Sequence, residues 1–261
     1  MPDGSGVRIE FDRVTKQFTR EDGVSTTAIR DMTFTVRDRE FVSLIGPSGC
    51  GKSTTLKLIS GLDFPSAGRI VVDGRPVEAP TTKIGFMLQK DLLLPWRTVL
   101  ENVTIGPEMQ GVSRRERVER GRALIAKYGL GEFEHAYPRH LSGGMRQRVA
   151  LMRTLAVNPD ILLLDEPLSA LDFQTKLKME EELLRILNEE RKTVMLITHD
   201  IGEAVSVSDR ILVCSARPGR IKAEFNLPFS KGHVPAEARR KPEFAEYFNA
   251  VWRELESDVR I

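Results

Sequence analysis

The run Gly46-Pro47-Ser48-Gly49-Cys50-Gly51-Lys52-Ser53 has the spacing G-x-x-x-x-G-K-[ST] of a loop that holds phosphate. Glycines let such a backbone curl with its N–H groups turned inward, and the helix that follows adds the positive end of its dipole. Lys52 supplies a point charge for the β- and γ-phosphates of a nucleotide, and the Ser53 hydroxyl is placed to ligate Mg2+. Residues 46–54, Thr54 included, form the candidate cradle. A second cluster is ILLLDEP at 161–167, a buried-strand pattern ending in Asp165 and Glu166. A carboxylate at a strand end beside a phosphate loop holds Mg2+, commonly through water, which gives Asp165 a metal role. The next carboxylate, Glu166, orients or deprotonates the attacking water. A strand followed by Asp-Glu is ordinary by itself, and its weight comes from the phosphate loop.

The elements that must position these groups follow from periodicity. Apolar segments of strand length stand at Val7–Phe11, Thr33–Val36, Phe41–Ile45, Arg69–Val72, Ile84–Leu88, Ile161–Leu164, Val194–Ile197 and Ile211–Cys214. Ile45 runs into the phosphate loop, and Lys52–Ser60 reads as a helix stopped by Gly61. Residues 90–158 are mainly helical and look like an insertion into the sheet-forming sequence. A further helix runs through Lys176–Asn188. Strands alternating with helices predict a largely parallel sheet with crossover helices. The charged run SRRERVERGR at 113–122 predicts the solvated face of a helix.

Composition limits what the motifs can mean. Lys and Arg total 39 against 37 Asp and Glu, a formal net charge of +2, which rules out neither a nucleotide nor a membrane partner and gives no support for the concentrated basic surface that nucleic acid needs. Cys50 and Cys214 are too few for a disulfide framework and fit a reducing compartment. No stretch approaches the ~20 apolar residues of a membrane-spanning helix. The start, MPDGSGVRIEF, is acidic and Gly-rich where a secretory signal is basic and then apolar, so a cytoplasmic chain is expected.

Between the two clusters lies Leu141-Ser142-Gly143-Gly144-Met145-Arg146-Gln147-Arg148, and here the sequence resembles the ABC ATPase family, whose signature reads LSGGQ ahead of a helix. Ser142, Gly143 and Gly144 would form a second phosphate-binding helix end, and the family's usual Gln is replaced by Met145. The resemblance spans residues 7–225 and orders the remaining motifs. Gln89 matches the glutamine that contacts Mg2+ or the attacking water and links to the membrane partner. Ser169-Ala170-Leu171-Asp172 matches the loop that reaches the opposite subunit, and His199 matches the switch histidine at the γ-phosphate. Phe18 is the candidate for stacking on adenine, with Phe11 as its competitor and a core role as the alternative. The segments Leu94–Val99 and Ser215–Ile221 look like the subfamily that imports nitrate, sulfonates and taurine. Trp96 either lines the groove for a coupling helix of the membrane subunit or is a core tryptophan.

The resemblance implies an α/β P-loop NTPase core of the ABC ATPase type, with an antiparallel β subdomain and an inserted α-helical subdomain. One ATPase domain at 1–230, the insertion near 90–158, and a packed C-terminal extension at 231–261 are expected. Phe244, Tyr247, Phe248, Val251, Trp252 and Leu255 fall at helical spacing in Pro242–Glu256. A packed helix is the plain reading, and a membrane-surface helix is opposed by Glu243, Glu246, Glu254 and Glu256. The implied cofactors are ATP and Mg2+. The implied partners are a second copy of the chain in an ATP-dependent head-to-tail dimer, membrane permease subunits, and indirectly an extracytoplasmic solute-binding protein, at the cytoplasmic face of the membrane. An exporter ATPase is the alternative. A non-transport ABC ATPase would carry long coiled coils, zinc ligands or a second cassette, and none is visible in the sequence.

Overall fold

Two long strands begin the fold, β1 (Val7–Thr19) and β2 (Ser25–Arg37), paired antiparallel. The computed structural model describes residues 6–169, 171–228 and 234–257. Both strands outrun the short segments expected at Val7–Phe11 and Thr33–Val36. Their register shifts between Phe11 and Val14 and again before Lys16, with Arg13 and Asp31 each at φ 47°. A bulge inverts the in-and-out alternation beyond it, so the pattern stops at Phe11 while the strand continues.

Next come β3 (Phe41–Ile45), buried at every position, and α1 (Lys52–Ser60), closed by Gly61 in the left-handed conformation. β4 (Ala67–Val72) pairs antiparallel with β1, and β5 (Arg75–Pro76) with β4, completing a sheet ordered β2-β1-β4-β5. β6 (Ile84–Met87) leads to α2 (Val99–Met109), α3 (Arg114–Lys127), two short 3-10 turns, α4 (Gly143–Ala156) and β7 (Ile161–Asp165). Then follow α5 (Phe173–Glu189), β8 (Thr193–Ile197), α6 (Ile201–Val207), β9 (Arg210–Cys214), β10 (Ile221–Asn226), α7 (Pro235–Ala238) and α8 (Pro242–Glu256).

The chain divides into two compact units, Met1–Thr81 with Glu180–Ile261, and Thr82–Met179, the boundary falling within α5. In the first, β8, β3 and β9 run parallel and β10 adds an antiparallel edge. The parallel strands are buried throughout, which is why they read as unbroken apolar runs. Arg210, 7% exposed, pairs its guanidinium with Glu40 (2.7 Å) and Glu224 (2.9 Å), tying β9 to β10 and to the turn before β3. α8 packs Phe244, Tyr247, Phe248, Val251 and Leu255 onto Ile201, Val205, Val213 and their neighbours. Of these Val251 is fully buried, which is worth about 1.5–3 kcal/mol for such a side chain, and the four partly buried ones contribute less each. Trp252, expected on the same face, is 54% exposed and lies off it.

In the second unit β6 and β7 are parallel, Ile84 opposite Ile161 and Met87 opposite Leu164. Residues 90–98, expected within the helical stretch, are not helical. Asn102, fully buried, accepts from Leu94 N (2.8 Å) and donates to the carbonyls of Leu94, Arg97 and Thr98, so its amide satisfies a non-helical backbone there. α2 then starts at Thr98 with a full capping box to Glu101, worth about 1 kcal/mol. The charged run at 113–122 begins at the N-cap Ser113 of α3 and is largely exposed. No described helix is long and apolar enough to cross a membrane.

Candidate functional site

In the first unit, β3 delivers the chain to Gly46 and α1 takes it up at Lys52. The N-cap of α1 is Gly51 at φ 98°, a conformation that side chains disfavour, and it contributes no side-chain cap. The first turn of α1 also carries no acidic residue. Lys52 Nζ donates to the carbonyl oxygens of Gly46 (2.7 Å) and Pro47 (3.0 Å), so the ammonium rests on the loop's own backbone. A curled backbone, an uncapped helix end and a resident cation fit a polyphosphate.

The loop is held from outside by residues that sequence reasoning did not place in the site. Ile29 of β2 packs on Gly51, its Cγ1 2.7 Å from where a Cβ there would stand. Arg217 Nε donates to the Gly49 carbonyl at 3.2 Å. Gly219 bonds to β2 through its N–H to Ala28 O (2.9 Å) and its carbonyl from Arg30 N (3.1 Å). A Cβ on Gly219 would stand 1.9 Å from the Cys50 carbonyl oxygen, so only glycine fits. Its signal in the sequence is the run Ser215–Ile221, which the resemblance ties to the subfamily and not to the loop.

His199 follows β8 and is exposed. Its neighbours are locked: the Thr198 hydroxyl donates to Glu203 (2.6 Å), and Asp200 caps α6 through Glu203 N (3.0 Å). Phe18 is 45% exposed on β1, with the Lys16 ammonium 5.0 Å from its ring centroid. Phe11 is fully buried and stacks on Phe34 at 4.8 Å, so it drops out as the competitor.

The second unit holds the carboxylates. Asp165 ends β7 and is 5% exposed. Glu166 follows at φ 49°, a left-handed backbone unusual for a non-glycine residue. Gln89 Nε2 donates to Glu166 Oε2 at 3.0 Å, joining two candidates that lie 77 residues apart in sequence. Ser142 is the N-cap of α4, its hydroxyl accepting from Met145 N at 3.3 Å, and again the first turn has no acid. Leu171 packs on Gly144, its Cδ2 2.6 Å from where a Cβ there would stand. Asp172 caps α5 through Thr175 N (3.0 Å), which starts that helix at Phe173 rather than at the expected Lys176. Ser169 donates to the Glu166 carbonyl at 3.0 Å, and Ala170 lies outside the described residues.

The segment after Gln89 is bound to α4. Arg146 pairs with Asp91 at 2.9 Å, and Arg153 donates to the carbonyls of Asp91 (2.7 Å) and Leu92 (2.8 Å). Trp96 stands 71% exposed beside a pocket of about 570 Å³ lined in part by Arg97, Glu101, Arg117 and His135, which removes the core reading of that tryptophan.

The family model for the ABC transporter matches residues 29–169, more than half of the chain. The taurine import ATP-binding protein of Rhizobium johnstonii is 45% identical over 91% of this chain and 92% of the relative. The nitrate import ATP-binding protein of Synechocystis is 41% identical over 94% of both. Among solved structures, a dimeric ATP-binding cassette in a post-hydrolysis state with ADP and Pi bound is similar at TM-score 0.76. It is 34% identical and covers 84% of this chain and 98% of that one. The likeness extends over nearly the whole sequence, and the chain belongs to the ABC transporter family as one of its ATP-hydrolysing subunits.

Proposed function

We propose that the chain energises import of a small anionic solute, of the nitrate, sulfonate or taurine type, through a separate membrane permease. One observation carries the ATP side of this reading. Among the described α-helices, α1 and α4 alone have no carboxylate at the cap or in the first turn, whereas α2, α3, α6, α7 and α8 have one in the first turn and α5 is capped by Asp172. A carboxylate there would neutralise the dipole and repel phosphate. The names of the relatives, taurine import and nitrate import, support the direction and solute class.

In this reading residues 46–54 hold the ATP phosphates, Lys52 swings from the carbonyls of Gly46 and Pro47 onto them, and Phe18 stacks on adenine. Mg2+ would be held by oxygens, which the Ser53 hydroxyl, the Gln89 side-chain carbonyl and, through water, Asp165 supply; bound there it neutralises phosphate charge. Glu166 orients and deprotonates the attacking water once Gln89 releases it, and His199 donates to the γ-phosphate. Ser142, Gly143 and Gly144 engage the nucleotide of a second copy across a twofold axis, with Ser169, Ala170, Leu171 and Asp172 at the same interface. The permease docks at Trp96, an extracytoplasmic solute-binding protein delivers the solute, and the chain sits on the cytoplasmic face of the membrane.

The test is to hold Glu166→Gln in Mg-ATP and measure its mass in solution. Turnover is expected to fall about 10³-fold while the mass shifts to a dimer, and adding Ser142→Arg keeps it a monomer. A dimer indifferent to both ATP and Ser142 overturns the reading. Import is tested by deleting the gene and measuring uptake of labelled taurine, sulfonates and nitrate; unchanged uptake of all three overturns the solute class.

A further inference from the structure

We propose that Cys50 and Cys214 are a redox pair, closing to a disulfide under peroxide and thereby shutting the phosphate loop to nucleotide. The consequence for nucleotide rests on the reading of residues 46–54 given above; the disulfide itself does not. Cys50 lies inside the loop between two glycines, and Cys214 is the last residue of β9. Both are fully buried free thiols. They meet: Cys214 Sγ donates to the Cys50 backbone carbonyl at 3.5 Å. A Cβ placed on Gly46 would stand 2.9 Å from both Cys50 Sγ and Cys214 Cβ, so the two side chains crowd one point beside the loop.

The pair is chemically asymmetric, as a reactive and a resolving thiol must be. The adjoining Cys214 side chain and the Lys52 ammonium, 3.9 Å from Cys50 Sγ, lower the Cys50 thiol against the opposing effect of burial. The same contact together with burial pushes Cys214 upward, so it stays protonated. Cys50 is therefore the thiol of the pair that ionises first, and the thiolate is the form that attacks. Its sulfur attacks one oxygen of hydrogen peroxide, the O–O bond breaks, and the departing hydroxide takes a proton to leave as water. Cys50 is now a sulfenic acid. The Cys214 sulfur attacks the Cys50 sulfur, its proton goes to the departing hydroxyl, and a second water leaves as the S–S bond forms. In sum the thiols lose two electrons and two protons, and one peroxide becomes two waters.

Passing from a hydrogen-bonded contact to a covalent bond draws Cys50 toward the end of β9. Cys214 is fixed in a buried strand, so the loop moves instead. The cradle's N–H groups, which must match phosphate oxygens to within about half an ångström, are then misaligned. Nucleotide opposes the reaction, because Lys52 held on phosphate no longer stabilises the thiolate.

The reduced full chain is treated with hydrogen peroxide, quenched with N-ethylmaleimide under denaturing conditions and weighed. The expected result is a loss of about 2 Da with neither cysteine alkylated, and a cross-linked peptide joining Cys50 to Cys214. Binding of a fluorescent ATP analogue falls at least 10-fold and returns with dithiothreitol, and prior Mg-ATP slows the mass change. Cys214→Ser gives no loss of mass, and alkylation of its Cys50 still accelerates as pH rises. Two thiols that remain alkylatable, or sulfinic acid without a cross-link, overturn the pair; a cross-link that leaves nucleotide binding unchanged overturns the shut-off. A reduced chain that binds no nucleotide counts against the nucleotide reading alone, since the mass measurement still decides the disulfide.

Discussion

Among the described α-helices, α1 and α4 are the two whose N-termini are free of carboxylate, yet they are finished differently. At α1 the cap is Gly51, nothing from a side chain covers the first-turn N–H groups, and Lys52 waits on the loop carbonyls. At α4 the cap is Ser142, whose oxygen already accepts from Met145 N. An uncapped end leaves all its first-turn N–H groups to an anion or water, whereas the serine cap already satisfies one of them, Met145 N, and still has a hydroxyl hydrogen to offer. In the proposed reading the difference implies an order of events, with nucleotide going first to α1 and α4 joining a complex already formed.

Three changes break or sharpen that contrast. The largest effect is expected from Lys52→Ala, which removes the cation from the uncapped end. Its affinity for ATP should fall about 100-fold, the loss of two charge-assisted hydrogen bonds, measured by titration calorimetry; an unchanged affinity would place the phosphates elsewhere. Met145→Glu is the intermediate case. With Ser142 it completes a capping box at α4 and adds a carboxylate where phosphate is to come, so thermal stability rises by about 0.5–1 kcal/mol. In the Glu166→Gln background, ATP-driven dimerisation should weaken about 10-fold. Loss of stability together with unimpaired dimerisation would mean that α4 does not face nucleotide. The smallest effect belongs to Arg217→Ala, which frees the Gly49 carbonyl. A rise in KM of a few-fold with kcat retained, partly rescued by Arg217→Lys, fits loss of one hydrogen bond worth about 1 kcal/mol; a fall in kcat alone would give Arg217 a different task.

Motif spacing made the candidate residues legible, and apolar runs gave β3 and α1 to the residue and the parallel strands to within one or two. Those strands are buried on both faces, so their composition alone announces them. β10 went unread because its six residues are only half-buried and carry Lys222, Glu224 and Asn226. The far halves of β1 and β2 were hidden by bulges, which break the period on which reading depends. The start of α5 was missed because it turns on one side chain, Asp172, capping Thr175 N.

The sequence by itself determined which groups do chemistry, since phosphate and water demand fixed residue types at short fixed intervals along one chain. Tertiary structure decided which distant groups meet. Gln89 reaches Glu166, Arg153 gathers the carbonyls of Asp91 and Leu92, Arg210 joins Glu40 to Glu224, and Cys214 comes to rest on Cys50. These contacts span from 14 to 170 positions. No local pattern encodes such distances, because sheet order and the close approach at Gly219 set them.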